Sequence, residues 1–160
     1  MSTPWAAFFP LASMTGLVAK ASIDIAATAE RIWKALTDRA AIREYYFGTN
    51  VQTSWKVGEP ITFNGEWEGR AYEDKGVIKT FDAPRTLAYS HFSPLMGKPD
   101  KPENYHNIVV SLVPSGKNTR VTLEQDNNAT EDARAQSQKN WEMMLGALKK
   151  FVERGAGGSV

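Results

Sequence analysis

The apolar positions of this chain change period twice. Residues 17–25, "LVAKASIDI", alternate: Leu17, Ala19, Ala21, Ile23 and Ile25 share one face, and Lys20, Ser22 and Asp24 share the other. That alternation predicts a half-buried strand. The period then lengthens. Ile32, Trp33 and Leu36 form one stripe, and Thr28 with Glu30 in the first turn supplies a helix start. A second short helix is expected over 39–45, ending at "YYFG", where Gly48 reads as the stop.

From Asn50 to Asn127 the period returns to two, with strands expected at 50–54, 60–67, 71–81, 86–92, 105–113 and 120–126. The turns between them are "KVGE", "EG", "DAPR", a long loop, and "PSGKN". Short connections between consecutive strands imply an antiparallel meander. The last element is a helix over 130–154, with acids at its start (Glu131, Asp132) and bases near its end (Lys149, Lys150, Arg154). Its apolar stripe is Trp141, Met144, Leu145, Leu148 and Phe151 or Val152, with Ser137 in register.

Strand, two short helices, six strands and one long helix make an α+β chain: a curved antiparallel sheet of six or seven strands gripping the C-terminal helix. A helix laid across a strongly curved sheet leaves part of the concavity unfilled, so a cavity between the two is expected. Residues 16–154 are read as the domain, 1–15 as an extension and 155–160, "GAGGSV", as a flexible tail. Trp5, Phe8 and Phe9 in the extension either pack on the domain or a second copy, or precede a true start at Met14.

Composition narrows the function classes. The chain has 160 residues, a net charge of +1 and no cysteine. It therefore has no thiol nucleophile, disulfide or cysteine-bound zinc, and no basic footprint for nucleic acid or an anionic membrane. No stretch approaches ~18 apolar residues, so no membrane-spanning helix is expected. The expected compartment is the cytoplasm, and the expected state is a monomer or homodimer.

The element order, with "ATAERIWKALTDRAAIREYYFG", "KGVIKTFDAPRTLAYS" and "NWEMMLGALKKFVE", resembles the START-like (SRPBCC, helix-grip, Bet v 1-like) superfamily, and within it the branch related to the activator of the Hsp90 ATPase. The matching positions are Ala27, Ile32, Trp33, Ala35, Leu36, Thr37, Asp38, Tyr45, Tyr46, Gly76, Ile78, Asp82, Pro84, Leu87, Tyr89 and Trp141. His91 stands where the family often has a tryptophan. The resemblance implies the helix-grip fold and either ligand binding in the cavity or a chaperone-linked, stress-related interaction.

The two histidines bracket the long loop, His91 before it and His106 after it. Period two carries His91 to the same side as Leu87 and Tyr89, and His106 to that of Ile108, Val110 and Leu112. A hairpin would then set the two side by side, with Gln125 of the last strand near them. Trp67, Tyr72 and Ile78 would border the concavity, and Trp141, Met144, Leu145 and Leu148 would roof it. Mostly apolar walls with a few polar groups describe a ligand pocket. The histidines would hydrogen-bond a ligand or buried water, or merely cap strand ends, or act as a general base, which would need an orienting partner. A metal would need a carboxylate such as Glu103 or Glu124 beside them.

Tyr45, Tyr46 and Phe47 are expected at the cavity mouth, as a gate or a packed corner, and the loop "SPLMGKPDKPEN" is long enough to be a lid. Trp33 is expected in the core and Trp55 at a turn. The leading expectation is binding of a small, largely hydrophobic molecule, with no cofactor, no metal and no catalytic residue assigned. The alternatives are an interaction module for a chaperone or other protein and, third, a cyclase or hydrolase using the same cavity, so that binding is favoured over catalysis with the enzyme question left open.

Overall fold

The structure is a computed structural model describing residues 14–158. The expected extension, with Trp5, Phe8 and Phe9, lies outside the described residues apart from its last two. Seven strands form one antiparallel sheet: β1 (Leu17–Ile25), β2 (Asn50–Thr53), β3 (Pro60–Trp67), β4 (Arg70–Asp82), β5 (Thr86–His91), β6 (His106–Ser115) and β7 (Asn118–Asn128). Their spatial order is β1-β7-β6-β5-β4-β3-β2. Six strands are a meander, and β1 closes on β7. Two short helices, α1 (Ala29–Leu36) and α2 (Arg39–Tyr45), link β1 to β2, and α3 (Glu131–Gly158) ends the chain. This is the α+β helix-grip arrangement, with the upper of the two expected strand counts.

Local chemistry sets the helix starts. The Thr28 hydroxyl accepts from the Arg31 amide at 3.2 Å, the Asp38 carboxylate from the Ala41 amide at 2.9 Å, and the Thr130 hydroxyl from the Ala133 amide at 3.1 Å. Each satisfies a donor the first turn cannot pair internally. Two ends depart from expectation. Tyr46 caps α2, so the first left-handed residue is Phe47 (φ +53°), with Gly48 (φ +78°) behind it. And α3 runs past Arg154, which leaves the basic residues short of its last turn. Lys149 instead binds the Asp24 carbonyl at 2.8 Å and Glu153 at 2.7 Å.

The core lies between the sheet's concave face and α3. Ala21, Ile25, Ile108, Leu112, Val121 and Leu123 from the strands meet Leu145, Leu148 and Val152. Burial of such side chains contributes about 25 cal/mol for each square ångström removed from water. Trp33 is buried and sets its ring edge-on to Phe81 at 5.2 Å. Trp55 follows β2 with a φ of +61° and leans on Phe81 from the edge.

The C-terminal half of α3 is clamped to β1 and α1. Glu153 accepts from the Ala26 amide at 2.8 Å, and Arg31 donates to the Val152 carbonyl at 2.7 Å. The N-terminal half is held by side chains. The Trp141 indole N–H donates to Gln125 Oε1 at 2.7 Å, and Ser137 donates to Asn128 Oδ1 at 3.0 Å. Between this half of the helix and β3–β4 the concavity stays open.

Candidate functional site

The opening is a cavity of about 350 Å³, within the range of small-molecule sites. Its walls come from five places. The end of α2 supplies Tyr46, Phe47 and Thr49; β3 and β4 supply Phe63, Trp67, Tyr72 and Asp74; the long loop supplies Ser93 and Leu95; β7 supplies Gln125; α3 supplies Ser137, Asn140, Trp141, Met143 and Met144. Phe47, Trp67, Leu95 and Met143 are also exposed, so the mouth is apolar. Below it, a void of about 40 Å³ reaches Tyr89 and Met144.

Of the sequence-predicted residues, Trp67, Tyr72, Gln125, Trp141 and Met144 line the cavity. Ile78, Ile108, Leu145 and Leu148 do not; all four are at most 1% exposed and belong to the packed core. Tyr89 lies beneath, on the small void. Period two turned Ile78 and Ile108 toward the core, where they join Leu145 and Leu148 of α3 in one packed cluster, and the space left over lies nearer β3 and the start of β4.

The histidines are paired as expected. His91 is opposite His106 across the β5–β6 ladder, as Tyr89 is opposite Ile108, and the two rings are 6.5 Å apart. Neither belongs to the cavity wall. His106 Nδ1 donates to the Asp126 carbonyl at 2.7 Å, and burial pushes its pKa down. His91 Nε2 lies 3.0 Å from Oδ2 of Asp74, with its ring edge-on to Phe63 at 5.5 Å. A carboxylate only accepts, so this nitrogen carries the proton. Gln125 reaches the cavity, but its amide is shared among Trp141, Asn128 and Ser137. Its polar capacity holds α3 to β7, so the three polar residues do not converge on a common ligand position.

Asp74, like Thr49, Phe63 and Asn140, lines the cavity without having been singled out from the sequence. The signal was there: Tyr72 and Ile78 were placed inward, and period two sets Asp74 on their face. Its second oxygen, Oδ1, is buried and has no hydrogen-bond partner among the described residues. Such a group normally has one.

Two glycines shape this wall. Opposite Tyr72 in the β3–β4 ladder stands Gly65. A Cβ there would lie 2.8 Å from the tyrosine Cζ, so the missing side chain lets the ring lie across β3. The ring is fixed by Thr49, its hydroxyl 2.7 Å from the Thr49 Oγ1. At Gly76, the strands approach so closely that a Cβ would strike the Ser90 carbonyl.

Of the three aromatics closing α2, Tyr45 is a packed corner: its hydroxyl donates to the Ala35 carbonyl at 3.0 Å, and burial drives its pKa up. Tyr46 and Phe47 face the cavity. Tyr46 sets its ring edge-on to Trp141 at 5.9 Å, and Phe47 to Trp67 at 6.2 Å. Beyond Leu95 the long loop is pinned to the end of β5 and to β4. Lys75 pairs with Asp100, Tyr105 donates to Asp100 at 2.6 Å and stacks on Phe92 at 5.1 Å. Among the described residues no three of His, Asp and Glu come together as a metal-holding group, and no helix is long and apolar enough to cross a membrane.

Comparison with known proteins agrees with this architecture. Residues 26–153 match the family described as activator of Hsp90 ATPase homolog 1-like protein, and the chain belongs to that family. It is similar to a protein from Cytophaga hutchinsonii known by solution structure. The two are 47% identical over 91% of this chain and 99% of that one, with a TM-score of 0.77. It is also similar to the Aha1 dimer from Colwellia psychrerythraea, at 20% identity over 86% of this chain and 96% of that one, with a TM-score of 0.68. CalU16 from Micromonospora echinospora is 19% identical over 88% and 86%, with a TM-score of 0.66. The last two likenesses are of fold. Among proteins with curated descriptions, none matches the chain.

Proposed function

We propose that this member of the activator of Hsp90 ATPase homolog 1-like family binds a small, largely apolar molecule between its sheet and its C-terminal helix. The observation carrying this reading is the cavity itself: about 350 Å³, with Phe63, Trp67, Trp141 and Met144 in its walls and an apolar mouth. Apolar burial supplies the driving force, and the few polar groups select among ligands.

Asn140 offers the test, because it lines the cavity from an exposed position on α3. Asn140→Trp fills the space without entering the core. Native mass spectrometry of the full chain against a panel of small apolar molecules is expected to show one-to-one complexes that this variant loses. Complexes absent from the parent chain, or unchanged in the variant, would contradict the reading.

A second reading is docking of a chaperone or other protein. It draws on the family's description and on the exposed Phe47, Trp67, Leu95 and Met143 around the mouth. A partner held there would respond to Trp67→Ser and would not need the cavity behind it.

A further inference from the structure

The charge inventory of the cavity is one-sided. Asp74 is the single carboxylate among the lining residues described, and the walls contain neither lysine nor arginine. One oxygen of Asp74 is engaged by His91, and the other is buried without a hydrogen-bond partner. A carboxylate in this state is costly, because burial strips it of water and only one donor replaces it.

The cavity that Asp74 enters is also lined by aromatic side chains, Tyr46, Phe47, Phe63, Trp67 and Trp141. The faces of such rings are electron-rich and attract cations. A ligand carboxylate or phosphate would meet a like charge and find no cationic side chain on the wall. An ammonium group instead supplies both the positive charge and the N–H donors the site lacks, while an apolar body occupies the space beside Trp141 and Met144.

We propose that the molecule held in this cavity is a hydrophobic amine, bound as its cation, with the ammonium group at Asp74 and the apolar body among the aromatic walls. The inference rests on the cavity-binding reading above and adds the chemistry of the ligand's polar end.

Three probes sharing one bicyclic body test it: naphthylethylamine, naphthylethanol and naphthylacetate, titrated calorimetrically into the full chain. The titration is run at about pH 8, where an ordinary imidazole is neutral and an alkylamine is charged. A charge-assisted hydrogen bond at Asp74 predicts that the amine binds about tenfold tighter than the alcohol, with the acetate weakest. Asp74→Asn keeps the shape and removes the charge, and is expected to bring the amine to within about twofold of the alcohol. The ranking in the parent chain needs no variant to fold.

The alcohol or acetate binding as well as the amine would overturn the inference and leave cavity binding standing. So would an Asp74→Asn chain that keeps the full preference for the amine. Saturable binding by none of the three would overturn the cavity reading, and this inference with it.

Discussion

Oδ2 of Asp74 and Nε2 of His91 lie 3.0 Å apart, with the two side chains only 15% and 19% exposed. The contact ties β4 to β5 beside the cavity that Asp74 lines. His91→Leu removes the donor and leaves both Asp74 oxygens without a partner. The expected cost is about 1–3 kcal/mol in urea denaturation. The cost should shrink when Asp74→Leu is already present, because the orphaned carboxylate is then gone. Equal costs in both backgrounds would show that the pair is not coupled.

Trp141 is joined to Gln125 through a buried hydrogen bond of 2.7 Å. Trp141→Phe keeps an aromatic ring but strands Gln125 Oε1, at an expected cost of about 1–3 kcal/mol. In a Gln125→Leu background the same change should cost less. Chemical denaturation of the four chains measures this directly.

Phe47 occupies backbone space that suits glycine, with φ at +53°. A Cβ there costs roughly 1–2 kcal/mol. Phe47→Gly is therefore expected to be more stable than Phe47→Ala, the reverse of the usual order inside a helix. Both should weaken binding of an apolar probe, since both remove the ring facing Trp67. Thermal melts and one titration per variant check the two halves.

Gly65 and Gly76 should respond differently to alanine. At Gly76 the added carbon strikes the Ser90 backbone carbonyl, which moves only if the β4–β5 ladder gives way, and the expected loss exceeds about 3 kcal/mol. At Gly65 it meets the far end of the Tyr72 ring, which can swing aside. That variant should fold with a smaller loss, about 1 kcal/mol for the tyrosine–threonine hydrogen bond, and show altered ring resonances for Tyr72. A severe loss at Gly65 and a mild one at Gly76 would contradict the packing described.

His106 makes stability depend on pH. Burial holds its folded pKa below the ordinary value of 6.5. Below about pH 6.5 the unfolded chain takes up a proton that the folded chain resists, so stability falls with pH until folded His106 is protonated too. Above that pH the folded chain loses nothing from this source. His106→Asn, which retains an N–H donor for the Asp126 carbonyl, should lose less stability than the parent chain between about pH 7.5 and about pH 5. Urea midpoints at the two values measure the difference; identical losses would exclude His106 as the source.

The fold was legible because its signals are periodic. Leu17 to Ile25 and Ile108 to Leu112 each declare a face, and the stripe from Trp141 to Val152 declares the helix that covers them. Pairing of His91 with His106 followed from the same rule. The cavity's position was less legible, because it depends on where α3 touches down. Leu145 and Leu148 look no different in sequence from Met144 and all three are buried, yet only Met144 borders the cavity. Gln125 reaches the cavity and His106 does not, because their partners, Trp141 and the Asp126 carbonyl, are set by tertiary contact. Asp74 was open to the reasoning that placed Tyr72 and Ile78. Phe47 was placed at the mouth, but its left-handed backbone was hidden by Gly48, which looks like the natural helix stop.

The central claim is that the space between sheet and helix receives a small apolar molecule. The most direct test is a titration of nitrogen-15-labelled full-length protein with naphthylethanol, followed through the tryptophan indole N–H resonances. Trp67 and Trp141 line the cavity, and Trp33 is buried away from it among α1 and Phe81. The account predicts saturable shifts for Trp67 and Trp141 with Trp33 unmoved. No saturable shift at either lining tryptophan, or equal shifts at all three, would contradict it.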